Sequence, residues 1–214
     1  APEPSRPALV AMTDVAAGEL VIEGAVRVVE RPASTVPAAA LDDAYRLLVD
    51  AALAQPRVLV HRDFMPRNLM PVGDDGPAML DFQDAVAGPI AYDPLSLFKD
   101  AFLSWPEARV DAWLDRYHAR ARDAGLPVPE RGRFRRDADW IGVQRHLKVI
   151  GIFARLCHRD GKPKYVADAP RFIAYLEGVL PKYEALASLH ALIERKVKPA
   201  LALQPSAPSP QPSQ

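Results

Sequence analysis

The 214-residue sequence predicts an α+β domain, mostly helical, built around a short β-hairpin whose ends carry polar loops. Three observations point there. Two short apolar runs flank a polar turn at Gly73-Asp74-Asp75-Gly76, the pattern of paired strands. Behind them, apolar residues recur at helical spacing in three long stretches. The composition, 49% hydrophobic and 25% charged, is that of a globular chain long enough to bury a core.

Residues 1–37 are proline-rich, and within them ELVIEGAVRVVE (19–30) holds two β-branched runs around Gly24, predicting a weak hairpin or edge strand. From Thr35 to Ala54, Leu41, Tyr45, Leu48 and Ala52 share one helical face, and Pro56 closes the helix. Val58-Leu59-Val60 reads as a strand feeding HRDFMPRNLM, with a further strand at Ala78–Phe82 after the turn. Beyond residue 94 the pattern is helical. Ser104-Trp105-Pro106-Glu107 has capping-box spacing ahead of a stripe at Val110, Trp113, Leu114, Tyr117 and Ala121, which Gly125 and Pro127 end. Trp140, Val143, Leu147, Ile150 and Ala154 form a second stripe. Asp168 is placed to cap a third helix carrying Phe172, Tyr175, Leu176, Val179 and Leu180. Core packing is the expected role of these stripes. The end, PALALQPSAPSPQPSQ, is uncharged and Pro/Ser-rich, a composition too poor in apolar surface to offset ordering entropy. The chain thus divides into residues 1–37, a domain at 38–198 and a disordered tail at 199–214.

Lys plus Arg (27) equals Asp plus Glu (27), so no net basic field suggests a nucleic-acid or membrane partner. The single cysteine, Cys157, excludes an intramolecular disulfide and a multi-Cys zinc site, and its place beside an apolar stripe suggests a buried thiol. The sequence has neither a secretory-leader pattern at its start nor a run of 18 apolar residues, so a soluble, cytoplasmic protein is expected. Its oligomeric state is left open.

His61-Arg62-Asp63-Phe64-Met65-Pro66-Arg67-Asn68 fits the kinase catalytic-loop pattern H-R-D-x-x-x-x-N, and 18 residues past Asp63 stands Asp81-Phe82-Gln83, where kinases carry D-F-G. Phosphoryl transfer explains the residue types. A carboxylate beside the attacking hydroxyl, here Asp63, orients it and takes its proton. The amide oxygen of Asn68 and the carboxylate of Asp81 are hard oxygen donors of the kind Mg²⁺ prefers when it bridges nucleotide phosphates. His61 reads as a residue that shapes the loop.

HRDFMPRNLM, LDFQDAVAGPIAYDPLSLFKDAF and DWIGVQRHLKVIGIFARLCHRDGKPKYVADAPRF resemble the C-terminal lobe of the aminoglycoside phosphotransferase/choline kinase-like family. Within it they look most like the bacterial kinases acting on the anomeric hydroxyl of N-acetylmuramate and N-acetylglucosamine in cell-wall recycling. The resemblance covers about residues 38–185. It implies the C-terminal lobe of a protein-kinase-like fold, with the hairpin carrying the catalytic and metal-binding loops. It also implies use of ATP with Mg²⁺, Asp63 as catalytic base, Asn68 and Asp81 as metal and nucleotide ligands, and Asp93 as a brace of the catalytic loop.

One departure is plain. The seven lysines begin at Lys99 and the 11 glycines form no G-x-G, so neither a phosphate-pairing lysine nor a covering glycine loop precedes His61 in these residues. Little turnover is therefore expected of these residues unaided. Across 139–165, six basic residues (Arg145, Lys148, Arg155, Arg159, Lys162, Lys164) face only Asp139 and Asp160. Such a segment repels a polycationic aminoglycoside and suits a neutral or anionic sugar. Arg145, His146 and Arg155, together with Asp84 near the metal loop, are the candidate sugar contacts, a solvated helix face or a closed turn being the plain alternatives. Two other readings remain: a non-catalytic module that binds sugar or a partner protein, and an aminoglycoside or other small-molecule kinase lobe.

Overall fold

The computed structural model describes residues 38–73, 76–100, 103–158, 162 and 168–199. The strand expected at 19–30 and the tail expected from 199 lie, but for Pro199, outside these residues. The described part is mostly helical with two small antiparallel sheets. It divides into two units: residues 47–142 belong to the first, 38–46 and those from 143 onward to the second.

The first unit begins within helix α1 (Ala38–Leu53), which ends just before Pro56 as expected. Strand β1 (Arg57–Val60) follows, then a 3₁₀ turn (Pro66–Asn68), β2 (Leu69–Pro71), β3 (Pro77–Met79) and β4 (Val86–Pro89). β2 pairs with β3 as the hairpin, Leu69 opposite Met79, whereas β1 pairs with β4, Arg57 opposite Pro89 and Val60 opposite Val86. β4 was not expected from sequence. Its Gly88 is needed for close approach, because a Cβ there would stand 3.2 Å from Val60 Cγ2. The strand expected at Ala78–Phe82 is shorter, because Asp81 adopts a left-handed φ of 64° that no strand accommodates.

Helix α2 (Tyr92–Phe98) starts two residues earlier than the pattern suggested, and α3 (Glu107–Asp123) follows. The capping box does not form. Pro106, at φ −54° and ψ 137°, is itself the N-cap residue, so Ser104 lies too early to cap. Glu107 instead pairs with the buried Lys99 at 2.8 Å. At the other end Gly125 (φ 73°) lets Leu126 N–H reach the Ala121 carbonyl and its own N–H reach Arg122, a Schellman closure. The core joins Val60, Ile90, Tyr92, Leu95, Val110, Leu114 and Phe134, the last from helix α4 (Arg131–His158). Gln55 stitches it: its Nε2 donates to the Asp137 carbonyl and its Oε1 accepts from Ala91 N–H.

In the second unit, Val143, Ile150 and Ala154 of α4 are buried, as are Phe172, Leu176 and Val179 of α5 (Ala169–Val179). Asp168 occupies the N-cap position of α5 but makes no capping bond. Its backbone is right-handed helical and its carboxylate lies 3.8 Å from Arg171. Leu180 is buried but stands past the helix, in a 3₁₀ turn. Another 3₁₀ turn, α6 (Ala187–Leu192) and a π-helical turn (Ile193–Val197) complete the unit, burying Leu186, Leu189 and Ile193.

Candidate active site

The loop between β1 and β2 is held by one carboxylate. Asp93, in the first turn of α2, accepts from His61 N–H at 2.7 Å with Oδ2 and from Arg62 N–H at 3.2 Å with Oδ1. Arg62 sits at φ 77°, a left-handed conformation costly for an arginine. The buried His61 ring brings its Nε2 within 2.9 Å of the Leu80 carbonyl, tying this loop to the segment just before Asp81. Asn68 makes a second tie, its carbonyl accepting from Leu80 N–H at 2.9 Å.

His61, Asp63, Asn68, Asp81 and Asp84 thus fall on two loops of the first unit that are tied to each other, with Asp93 of α2 bracing the first of them. Asp63 is exposed, and its carbonyl accepts from Asn68 Nδ2 at 2.9 Å. That bond commits the amide nitrogen and leaves Asn68 Oδ1 without a partner among the described residues. Asp81 is also exposed, with Oδ1 accepting from Gln83 Nε2 at 2.6 Å. The carbonyl of Asp84 accepts from Arg62 Nη1 at 3.5 Å, which closes the loop after β3. Arg145, His146 and Arg155 lie in the second unit. There His146 is buried, stacked on Tyr175 at 4.8 Å, and Arg155 is half-buried, its Nε buried without a hydrogen-bond partner. Cys157 is half-buried.

Among the described residues no group of three or more His, Cys, Asp or Glu side chains could hold a metal. Asn68 Oδ1 and the Asp81 carboxylate offer oxygen donors alone. That donor chemistry fits Mg²⁺, which takes one or two protein oxygens and completes its shell with phosphate and water. Around the loops the surface is apolar: Leu59 is 80% exposed and Phe82 65%, with Met70, Val72, Met79 and Leu80 also exposed.

Sequence reasoning missed two supports, Arg62 and Gln83, both inside the motifs but with no spacing rule to mark them. It read Trp113 and Tyr117 as core, and Tyr117 does pack against it. They are half-buried and, with Pro66, Phe98, Trp105 and Leu126, line a cavity of about 670 Å³. The Tyr117 hydroxyl reaches the Ile90 carbonyl at 3.4 Å. Burial, and then the nearby Asp93 charge, hold its pKa above the usual tyrosine value.

The profile of the phosphotransferase enzyme family matches residues 11–136. The chain belongs to this family. It is also 60% identical over 149 residues to a Pseudomonas putida protein named N-acetylmuramate/N-acetylglucosamine kinase, covering 69% of this chain and 44% of that protein. Proteins of the same name from Pseudomonas aeruginosa and Neisseria meningitidis serogroup B are 58% identical over 148 residues and 55% over 147. These matches cover 69% and 68% of the chain and 44% of each relative. The chain thus spans less than half the length of these relatives, matching their C-terminal part. No described helix is long and apolar enough to cross a membrane.

Proposed function

We propose that the chain is the catalytic-loop lobe of a cytoplasmic, ATP-dependent sugar kinase. It moves the γ-phosphate to the anomeric hydroxyl of an amino sugar, N-acetylmuramate or N-acetylglucosamine. The observation that carries this reading is 55–60% identity over 147–149 residues to three proteins named for that activity, with the motif residues inside the segment that the family profile matches. The loop geometry supports it. In this reading Asp63, exposed and unpaired, orients the sugar hydroxyl and takes its proton as the oxygen attacks phosphorus. Asn68 Oδ1 and Asp81 hold Mg²⁺, which when bound supplies charge neutralisation at the nucleotide phosphates. Asp93 and His61 keep Asp63 and Asp81 in register by fixing the two loops to each other. Catalysis of this kind is mostly positioning, which is why a loop with strained φ values needs such bracing.

The test is a fusion of this chain behind the N-terminal portion of the P. putida relative, assayed with ATP, Mg²⁺ and each amino sugar. Sugar 1-phosphate, read by ³¹P NMR, is the expected product. A soluble, folded fusion that forms none from either sugar refutes the reading.

A further inference from the structure

Helix α3 turns a single face toward the 670 Å³ cavity beside the catalytic loop. Trp113, Arg116, Tyr117 and Arg120, at i, i+3, i+4 and i+7, all line it. Its volume is in the range of small-molecule sites. A second cavity of about 340 Å³ shares Leu97, Phe98 and Tyr117 with it and is lined also by Phe64, next to Asp63 in sequence, and by Asp93, which accepts from His61 and Arg62 N–H. The aromatic wall is rigid, with Trp113 packed between Trp105 at 5.2 Å and Phe98 at 5.3 Å.

The charges at its rim are unusual for this unit. Neighbouring arginines are matched: Arg122 with Asp123, Arg131 with Asp115, Arg135 with Asp111, and Arg109 over the Trp105 ring. Arg116 and Arg120 are exposed one turn apart and have no partner among the described residues. Apolar ring faces suit the C–H face of a pyranose, and two adjacent guanidiniums suit a carboxylate.

We propose that this cavity is the acceptor-sugar subsite. Trp105, Trp113 and Tyr117 pack on the pyranose, and Arg116 and Arg120 hold a carboxylate substituent, so the site prefers a carboxylated amino sugar to a neutral one. The inference rests on the amino-sugar kinase reading and assigns its specificity to α3 rather than to the basic segment of α4.

The experiment is calorimetry of the 214-residue chain with N-acetylmuramate, which carries a carboxylate, and N-acetylglucosamine, which does not. N-acetylmuramate is expected to bind about tenfold more tightly, the effect of one charged hydrogen bond. Arg116→Gln with Arg120→Gln should remove that tenfold and leave N-acetylglucosamine affinity within about twofold, while Trp113→Ala weakens both sugars. The arginine positions are exposed, so these variants should fold, and a thermal melt checks this. Equal affinity for the two sugars overturns the proposal. So does unchanged N-acetylmuramate affinity in the double variant, a loss produced instead by Arg155→Gln, or no binding of either sugar at about 10 mM. Failure of the kinase reading shows separately, as absent sugar phosphate from the fusion; product from a fusion that binds sugar elsewhere would leave that reading standing and sink only this one.

Discussion

Replacing Asp93 by alanine removes the acceptor of two consecutive backbone amides, His61 N–H at 2.7 Å and Arg62 N–H at 3.2 Å. A hydrogen bond to a charged group contributes about 1.5–3 kcal/mol. The shorter bond belongs in the upper half of that range; the longer one, whose amide regains water in the variant, at or below the bottom. Together they give a loss of about 3 kcal/mol, a large share of a domain's total stability of about 5–15 kcal/mol. Asp93→Asn keeps one acceptor oxygen but turns an NH₂ toward one of the amides, so it should lose about half as much. Arg62 adds a second handle, because its φ of 77° costs a side-chain-bearing residue about 1–3 kcal/mol that glycine does not incur. Arg62→Gly in the Asp93→Asn background should recover about 1 kcal/mol. Urea unfolding at neutral pH measures the totals, and amide hydrogen exchange at residues 61 and 62 localises them, with exchange expected to accelerate about 100-fold in the alanine variant. A loss below about 0.5 kcal/mol with unchanged exchange at both amides would refute the reasoning, since it would mean the loop holds its shape without this carboxylate.

In the fusion, Asp63→Asn should lower kcat by about 10²–10⁴ with nucleotide affinity nearly intact, whereas Asp81→Asn should also weaken Mg²⁺-dependent ATP binding; equal nucleotide affinity in the two contradicts the assigned roles. The 214 residues unaided should turn over far more slowly than the fusion, because no lysine precedes the catalytic loop; a rate of about 1 s⁻¹, the low end of kinase values, would overturn that expectation. Asp137 concerns stability. Burial holds its folded pKa above 3.8, against the opposing pull of Arg136 and Arg133, so the folded state binds this proton more tightly than the unfolded one. Its contribution is therefore greatest below 3.8 and is lost as pH rises through the raised folded value. Asp137→Asn should flatten that part of the urea-stability profile; an identical pH slope in variant and parent would count against it.

Helices were legible where one face is apolar and the other charged. α1, α3 and α5 follow their stripes to within a few residues, because burial of that face is what stabilises them, whereas α4 begins nine residues before its stripe, at Arg131. β4 was not legible, since Val86-Ala87-Gly88-Pro89 has little strand propensity and is held by pairing with β1 and by a glycine that lets Val60 approach. Caps failed for a local reason, a proline at one N-cap and a right-handed backbone at Asp168. For the site, spacing picked out His61, Asp63, Asn68 and Asp81, and the family resemblance added Asp93. It did not say that Asp93 would reach two consecutive backbone amides, nor that Arg62 and Asp81 would be left-handed, because sequence patterns carry no torsion angles. Trp113 shows the limit of periodicity: a half-buried aromatic at a core spacing looks the same whether its outer edge meets protein or an open cavity.

The hairpin also carries its own chemical footprint. Three of the four methionines fall between residues 65 and 79, and Met70 and Met79 are 50% and 54% exposed on the paired strands β2 and β3. Thioether oxidation tracks access of peroxide to sulfur, each event adding one oxygen atom and converting an apolar side chain into a polar one. Mass spectrometry after brief peroxide treatment therefore reads how open the rim of this hairpin is, without any label. A body that settles on that rim would register as slower sulfoxide formation at Met70 and Met79. Prolonged oxidation, by making the rim polar, would leave the backbone ties around Asp93 in place while spoiling the surface on which such a body could rest.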